Sequence, residues 1–149
     1  MPSAKELQRR LNKVSKLSLL QREVEKIVLT DTKIRELKRD EFESGRNPDG
    51  SAISPAYRSS SYKAFKQSTN PKAQGRVDLI FTGAFVNQLF QKSLGSSKFL
   101  FDSQNEKTSM LRGKYGKRIF GLNKETFLEL QQTDYRDKLV SKIRQITGI

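Results

Sequence analysis

The sequence predicts an α+β fold in which helices flank a small antiparallel sheet. Two observations support this class. Apolar residues recur at helical spacing near both ends of the chain, and short strand-like runs separated by turn residues lie between positions 97 and 122. The chain has 149 residues, the length of one domain. We divide it into a long N-terminal helical region (1–44), an extended arm with a short helix (45–76) and an α+β core with a C-terminal helix (77–149).

The N-terminal region is predicted to contain a short helix followed by a long one. Ser3 with Glu6 forms a capping-box pattern, and Ser18 with Gln21 repeats it. We therefore expect a break near residues 17–18 and a stop at Gly45. The apolar residues of the long helix share one face: Leu20, Val24, Ile27, Ile34, Leu37 and Phe42.

Residues 45–76 are polar, basic and rich in Gly, Pro and Ser. The run "NPDG" predicts a turn at 47–50, and Ser54 before Pro55 predicts a helix over 55–67. Long excursions inside a compact domain are usually functional. One-sided aromatics on a short helix favour docking, either on the body of the protein or on a neighbouring subunit. They are Tyr57, Tyr62 and Phe65.

The last region is predicted to begin with a helix capped by Thr82 that ends near Gly95. Strands are predicted within "SKFLFDS", "EKTSMLRG" and "KRIFGL", with turns at "SQNE" and "RGKYGK". Asn123 predicts the N-cap of a final helical region over 124–146, with a break near residue 133.

The net charge is +13, from 29 Lys and Arg against 16 Asp and Glu. Most of the excess lies in the middle: residues 46–75 hold five basic and one acidic residue, and residues 76–122 hold eight and three. Such a field attracts nucleic acid, anionic lipid or an acidic protein surface. The low apolar content of 34% favours a domain with much surface, or one whose core is completed by neighbouring subunits.

Several classes of chemistry are disfavoured. The chain has no Cys and no His, which removes disulfides, thiolate nucleophiles and Cys/His zinc sites. No apolar run approaches the roughly 18 residues of a membrane helix, and the start lacks the apolar core of a signal peptide. We therefore expect the protein to be made in the cytosol and not to associate with a membrane. Asp40, Glu41 and Glu43 lie beside Lys38 and Arg39, which is typical of a solvated helix end. We predict no catalytic site, cofactor or metal, and hence no enzyme.

Two residue clusters are candidate binding surfaces. The first cluster, Tyr57, Arg58, Tyr62 and Phe65, is predicted to form a subunit or partner interface, with stacking of single-stranded nucleic acid as the alternative. The second surrounds "GKYGK" in a predicted basic hairpin; it would face DNA or a lumen, with an ordinary exposed turn as the alternative. The P-loop pattern is not met, because a strand-like run follows the glycines. The second cluster comprises Lys114, Lys117 and Arg118.

Three segments also match a known pattern in the same order. "NPDGSAISPAYRSSSYKAFK" resembles W-x-P-L-S-P-x-T/Y … K, "DLIFTGAFVNQLF" resembles L-L-x-T-G-x-L-x-x-S-I, and "RIFGLNKETFLEL" resembles R-x-F-L-G-L-S-x-x-D. Together they resemble the phage virion morphogenesis family, the tail completion proteins, over residues 45–147. The chain departs from this family in having no Trp near 49–51, and "SSKFLFDSQNEKTSMLRGKYG" replaces the usual YA-x-x-H-x-x-G segment.

The resemblance implies a structural virion protein of a tailed bacteriophage, a ring subunit of the head–tail neck, either a connector or a tail terminator. Implied partners are further copies of the chain, the portal or connector, and tail or tail-tube proteins, with non-specific contact to packaged DNA. The implied location is the virion, after assembly in the host cytoplasm. Residues 45–76 would then be a projecting assembly arm, since a heterologous ring needs such an element. The alternative function is a basic nucleic-acid-binding accessory protein.

Overall fold

A computed structural model describes residues 1–80, 82–95 and 98–148, apart from the side chain of Leu17. Phe81, in the segment "DLIFTGAFVNQLF", therefore lies outside the described residues. The fold is α+β, as predicted: helices surround a two-stranded antiparallel sheet. Within the described part of the chain, no helix is long and apolar enough to span a membrane. The elements are α1 (Ala4–Val14), α2 (Leu17–Thr30), α3 (Thr32–Glu43), α4 (Ser60–Thr69), α5 (Ala84–Asn87), β1 (Leu89–Gly95), β2 (Lys98–Ser103), α6 (Thr108–Tyr115), α7 (Lys124–Leu130) and α8 (Arg136–Thr147).

The predicted long N-terminal helix is divided at Asp31. The first cap is confirmed, because the Ser3 hydroxyl accepts a hydrogen bond from the Glu6 amide at 3.2 Å. The second capping box is wrong: α2 begins before Ser18, with no side-chain cap. Asp31 instead adopts an extended backbone, and its carboxylate accepts from the Lys33 amide at 3.0 Å to start α3. A short acidic side chain is better placed at a cap than inside a helix, which explains the break.

The predicted helix from Thr82 to Gly95 is wrong beyond its first turn. Gly83 has a positive φ of 79°, as its tight turn requires, and α5 follows for only four residues. Leu89 and Gln91 then alternate as buried residues of β1, which pairs with β2 in the register Leu89–Ser103. The spacing of Phe85, Leu89 and Phe90 also suits a helix, but the sheet buries alternate residues of this segment.

The second and third predicted strands are also helical. "EKTSMLRG" contributes to α6, which ends at Gly116 where φ is +86°. "KRIFGL" contributes to a 3₁₀ turn, Lys117–Phe120, that buries Ile119 and Phe120. Leu111 and Tyr115, four residues apart, both pack on the core from α6, and this helical spacing decides the structure. The predicted basic hairpin is therefore replaced by a helix and a turn.

The C-terminal prediction is confirmed. The Asn123 side chain accepts from the Thr126 amide at 3.0 Å and begins α7. The predicted break is a π-helical turn, Gln131–Tyr135, that leads into α8 without leaving the helical path. The wider turn directs Tyr135 into the core, where the side chain is 4% exposed.

One apolar cluster joins all three predicted regions. Phe85 lies at its centre, with ring centroids 5.7 Å from Phe42 and 6.1 Å from Phe120. Ile53 adds the middle region to the same cluster. Aromatic rings supply most of the buried area in a small core, so this triplet fixes α3, α5 and the 3₁₀ turn relative to one another.

Candidate functional site

Residues 45–76 do not project from the protein as predicted, because they fold back onto its body. The predicted turn at 47–50 is present, since the Gly50 amide donates to the Asn47 carbonyl at 2.9 Å. The predicted helix over 55–67 is shifted: α4 begins at Ser60, and the Ser59 hydroxyl caps it by accepting from the Tyr62 amide. The residues before Ser59 run along the surface and form one wall of a groove.

A buried polar network fastens α4 to the rest of the chain. The Lys66 ammonium lies 2.5 Å from an Asp78 carboxylate oxygen and also donates to the Ile80 carbonyl. The Asn70 amide donates to the other Asp78 oxygen at 2.7 Å and to the Glu43 carbonyl at 2.8 Å. A buried ion pair is tolerated when further hydrogen bonds satisfy both charges, and this network meets that condition.

Tyr57, from the first predicted cluster, is part of this buried polar network. Its hydroxyl donates to the Asp78 carbonyl at 3.2 Å and accepts from the Asp78 amide at 3.3 Å. Burial raises the pKa of Tyr57 well above its usual value, and the Asp78 carboxylate adds to the effect. The Tyr57 ring also meets the edge of Tyr62 at 5.0 Å between centroids. Tyr57 is therefore half-buried, and its ring packs against Tyr62 where both line the groove.

Tyr62 and Phe65 form the outward side of α4. Their ring centroids lie 6.2 Å apart, and the residues are 42% and 48% exposed. The helix thus has a buried side that ends in the Lys66 network and an exposed aromatic side. The one-sided pattern predicted from sequence is present, on a helix that its own chain holds in place.

A groove of about 940 Å³ opens beside Tyr62. Residues 55–62 form one wall, α6 forms the other, and residues 78–80 and 82–85 form the floor. Its apolar surface includes Met110, which is 60% exposed. A large concave surface with exposed apolar side chains is the usual form of a binding site.

The exposed charges that line the groove are three cations and one carboxylate, that of Glu106. Lys107 and Lys114 lie at opposite ends of α6, about 10 Å apart along the helix axis, and Arg58 lies on the opposite wall. Within the described residues, none of these three cations has an ion-pair partner. The Lys114 ammonium lies 5.2 Å from the centre of the Tyr115 ring. The groove lining therefore combines apolar side chains with an excess of exposed positive charge.

The structure divides the second predicted cluster. Lys114 joins Arg58 and Tyr62 in the groove, whereas Lys117 and Arg118 are exposed and do not line it. Arg118 lies 3.7 Å from Asp49, in the turn at 47–50. The grouping of Lys114 with its two neighbours followed from the predicted hairpin, which does not form.

Sequence reasoning missed Lys107 and Met110. Both lie in the stretch that was predicted to be a strand, where alternation would place Lys107 and Met110 on opposite faces. As a helix, the same stretch places residues 107, 110, 111, 114 and 115 on one side. Testing that stretch for the 3.6-residue period as well as for alternation would have revealed this set.

Comparison of the chain with protein-family models, with curated proteins and with solved structures found no match. In the described ranges, no group of three or more Asp and Glu residues is placed to hold a metal ion.

Proposed function

We propose that the chain is a structural virion protein of a tailed bacteriophage, a head–tail neck or tail completion subunit that assembles through its groove face. The proposal depends on one observation above all: apolar side chains remain exposed around a groove that a buried network holds in shape. Tyr62, Phe65 and Met110 are each more than two-fifths exposed. Exposed apolar groups around a concave surface are characteristic of protein–protein contacts.

Pre-organisation of this face supports an assembly role. Because Lys66, Asn70 and Tyr57 tie α4 and its flanking segment to Asp78, the aromatic face is ordered before a partner arrives. Ordering side chains at an interface costs roughly 0.5–1.5 kcal/mol for each immobilised side chain, and a pre-formed face avoids part of that cost. The phage assignment itself comes from the resemblance over residues 45–147 and agrees with a strongly basic protein that lies near packaged DNA.

A second candidate function, nucleic-acid binding, is favoured by the groove cations. Arg58, Lys107 and Lys114 have no ion-pair partner within the described residues, as is expected of side chains that contact phosphates. The exposed Met110 between the two lysines favours a protein partner, since an apolar side chain gains nothing from a phosphate backbone.

Light scattering of the purified chain, alone and with a short DNA duplex, separates the two functions. The assembly role predicts a discrete multiple of the 17.1 kDa subunit mass that the duplex does not change. A monomer or dimer that binds the duplex tightly, with affinity falling steeply as salt rises, would contradict the assembly role and support nucleic-acid binding.

A further inference from the structure

We propose that the groove of one subunit receives helix α7 of a second copy of the same chain, so that subunits join head to tail. This inference rests on the proposed assembly function and names the partner of the groove.

Helix α7 has an exposed apolar residue, Leu128, with two acidic residues and one basic residue, Lys124, around it. Glu125 and Glu129 are exposed, and neither has an ion-pair partner within the described residues. Leu128 is 43% exposed and lies three residues from Glu125 and next to Glu129. On a helix, residues three and four apart are neighbours, so the leucine and the two carboxylates form one surface.

This face complements the groove in charge and in apolar character. In the groove, Lys107 and Lys114 lie on either side of the exposed Met110. On α7, two carboxylates accompany an exposed leucine. Methionine adapts its shape to an apolar partner, and opposite charges around it fix the register of the contact.

The charge distribution of the chain favours this occupant. Residues 76–122, which supply α6 and the groove floor, hold eight basic and three acidic residues, whereas residues 123–149 hold five and four. Two grooves facing each other would place Arg58, Lys107 and Lys114 opposite the same three cations. The repulsion between like charges disfavours that symmetric arrangement.

The two surfaces are different parts of the subunit. No residue of α7 lines the groove, so a groove can be filled by a second copy while the first copy's own α7 remains available. A contact between two unlike surfaces repeats from subunit to subunit and closes into a ring or continues as a filament. The side-chain nitrogen of Asn123 donates a hydrogen bond to the Pro48 carbonyl at 2.8 Å, which holds the start of α7 in position.

Charge reversal on each face tests the inference. The variants K107E/K114E and E125K/E129K are each expected to lose assembly, because like charges then meet at the contact. An equimolar mixture is expected to regain the wild-type mass by light scattering, since each groove then finds an α7 of opposite charge. Matched controls, K5E/K13E and E36K/D40K, make the same charge changes at exposed positions outside both faces and are expected to assemble as the wild type does.

Cross-linking supplies a readout that does not depend on the charge variants. The chain contains no cysteine, so M110C and L128C each introduce a single thiol. After mixing the two variants with a mild oxidant, the inference predicts disulfide-linked heterodimers in excess of either homodimer. L94C replaces another exposed apolar residue, 57% exposed on β1, and is expected to give no excess with M110C.

The outcomes distinguish the inference from the proposed function. If E125K/E129K assembles as the wild type does, or M110C and L128C yield only homodimers, the α7 contact is refuted while an assembly role remains. If the wild-type chain is a monomer at every concentration, both are refuted. Recovery of mass in the charge-reversed mixture supports both.

Discussion

The Lys66 ammonium lies 2.5 Å from the Asp78 carboxylate, and the two side chains are 3% and 0% exposed. The pair joins α4 to the segment that forms the floor of the groove. Removing two charges from water is costly, and the hydrogen bonds to Asn70 and Ile80 offset that cost by satisfying the pair. The pair thus explains how a polar, Gly- and Pro-rich segment keeps an aromatic face in a fixed place.

We expect Lys66→Met to lower the free energy of unfolding by about 3 kcal/mol, because Asp78 would remain buried without its cation. Urea unfolding followed by circular dichroism measures the change. Lys63→Met is the matched control, since Lys63 is exposed on the same helix, and its effect should stay within about 0.5 kcal/mol. Equal effects of the two substitutions would show that the ion pair does not anchor α4.

We expect Met110→Asp to abolish assembly, because it places a carboxylate on the apolar surface of the groove. The stability of the subunit should not fall, because the side chain is 60% exposed. Leu94→Asp provides the control, at a position 57% exposed on β1. Light scattering reports assembly and urea unfolding reports stability. Loss of assembly in both variants would mean that the effect is not specific to the groove.

Stability should fall at alkaline pH because of two tyrosines, the buried Tyr135 and the half-buried Tyr57. Burial raises the pKa of Tyr57 and of Tyr135 well above the usual value, and the hydrogen bond from the Tyr135 hydroxyl to the Asp31 carboxylate at 2.7 Å adds to the shift. In the unfolded chain both ionise near pH 10. Above that pH the folded state holds more protons than the unfolded state, so the free energy of unfolding decreases as pH rises.

Urea unfolding at about pH 9 and about pH 11, on either side of the usual tyrosine pKa, measures this decrease. The variant Y57F/Y135F should show a smaller decrease, because it lacks both hydroxyls. Lys38, whose pKa is lowered by burial, shifts stability in the opposite direction in both proteins and cancels in the comparison. An identical decrease in both would argue against protonated tyrosines in the folded chain.

Asn123 should contribute to stability in two separable ways. Its side-chain oxygen caps α7, and its side-chain nitrogen donates to the Pro48 carbonyl. We expect Asn123→Ala to cost about 2 kcal/mol, from the lost cap and the lost hydrogen bond. Asn123→Asp keeps the capping oxygen but has no nitrogen to donate, so it should lower the free energy of unfolding by less. If it lowered stability as much as the alanine variant does, the whole loss would be due to the hydrogen bond to the Pro48 carbonyl.

The sequence predicted those features that depend on neighbouring residues. The caps at Ser3 and Asn123 and the turn at 47–50 follow from short patterns, and all are present, whereas the break predicted near residue 133 is replaced by a π-helical turn. Strand β2 was also predicted, because its Phe-Leu-Phe run stands between turn residues. These elements form wherever the local preference and the core agree.

The candidate site was predicted only in part, because tertiary contacts decide it. Tyr57, Arg58 and Tyr62 were identified from their spacing, but Lys66, which spacing placed on the same basic helix, is buried by its pairing with Asp78 twelve residues away. Lys107 and Met110 were missed because packing of Leu111 and Tyr115 on the core selects a helix for a weakly alternating run. The contact of Lys66 with Asp78 leaves no local pattern in the sequence, whereas the four-residue spacing of Leu111 and Tyr115 does.

We propose that another protein molecule covers the groove face when subunits assemble. Hydrogen–deuterium exchange, compared between dilute and concentrated samples, measures whether this face becomes covered. We expect slower exchange at high concentration in α6 and in residues 55–62, with no change in α1. Exchange in α6 that is independent of concentration, in a sample that light scattering shows to be assembled, would contradict the proposal.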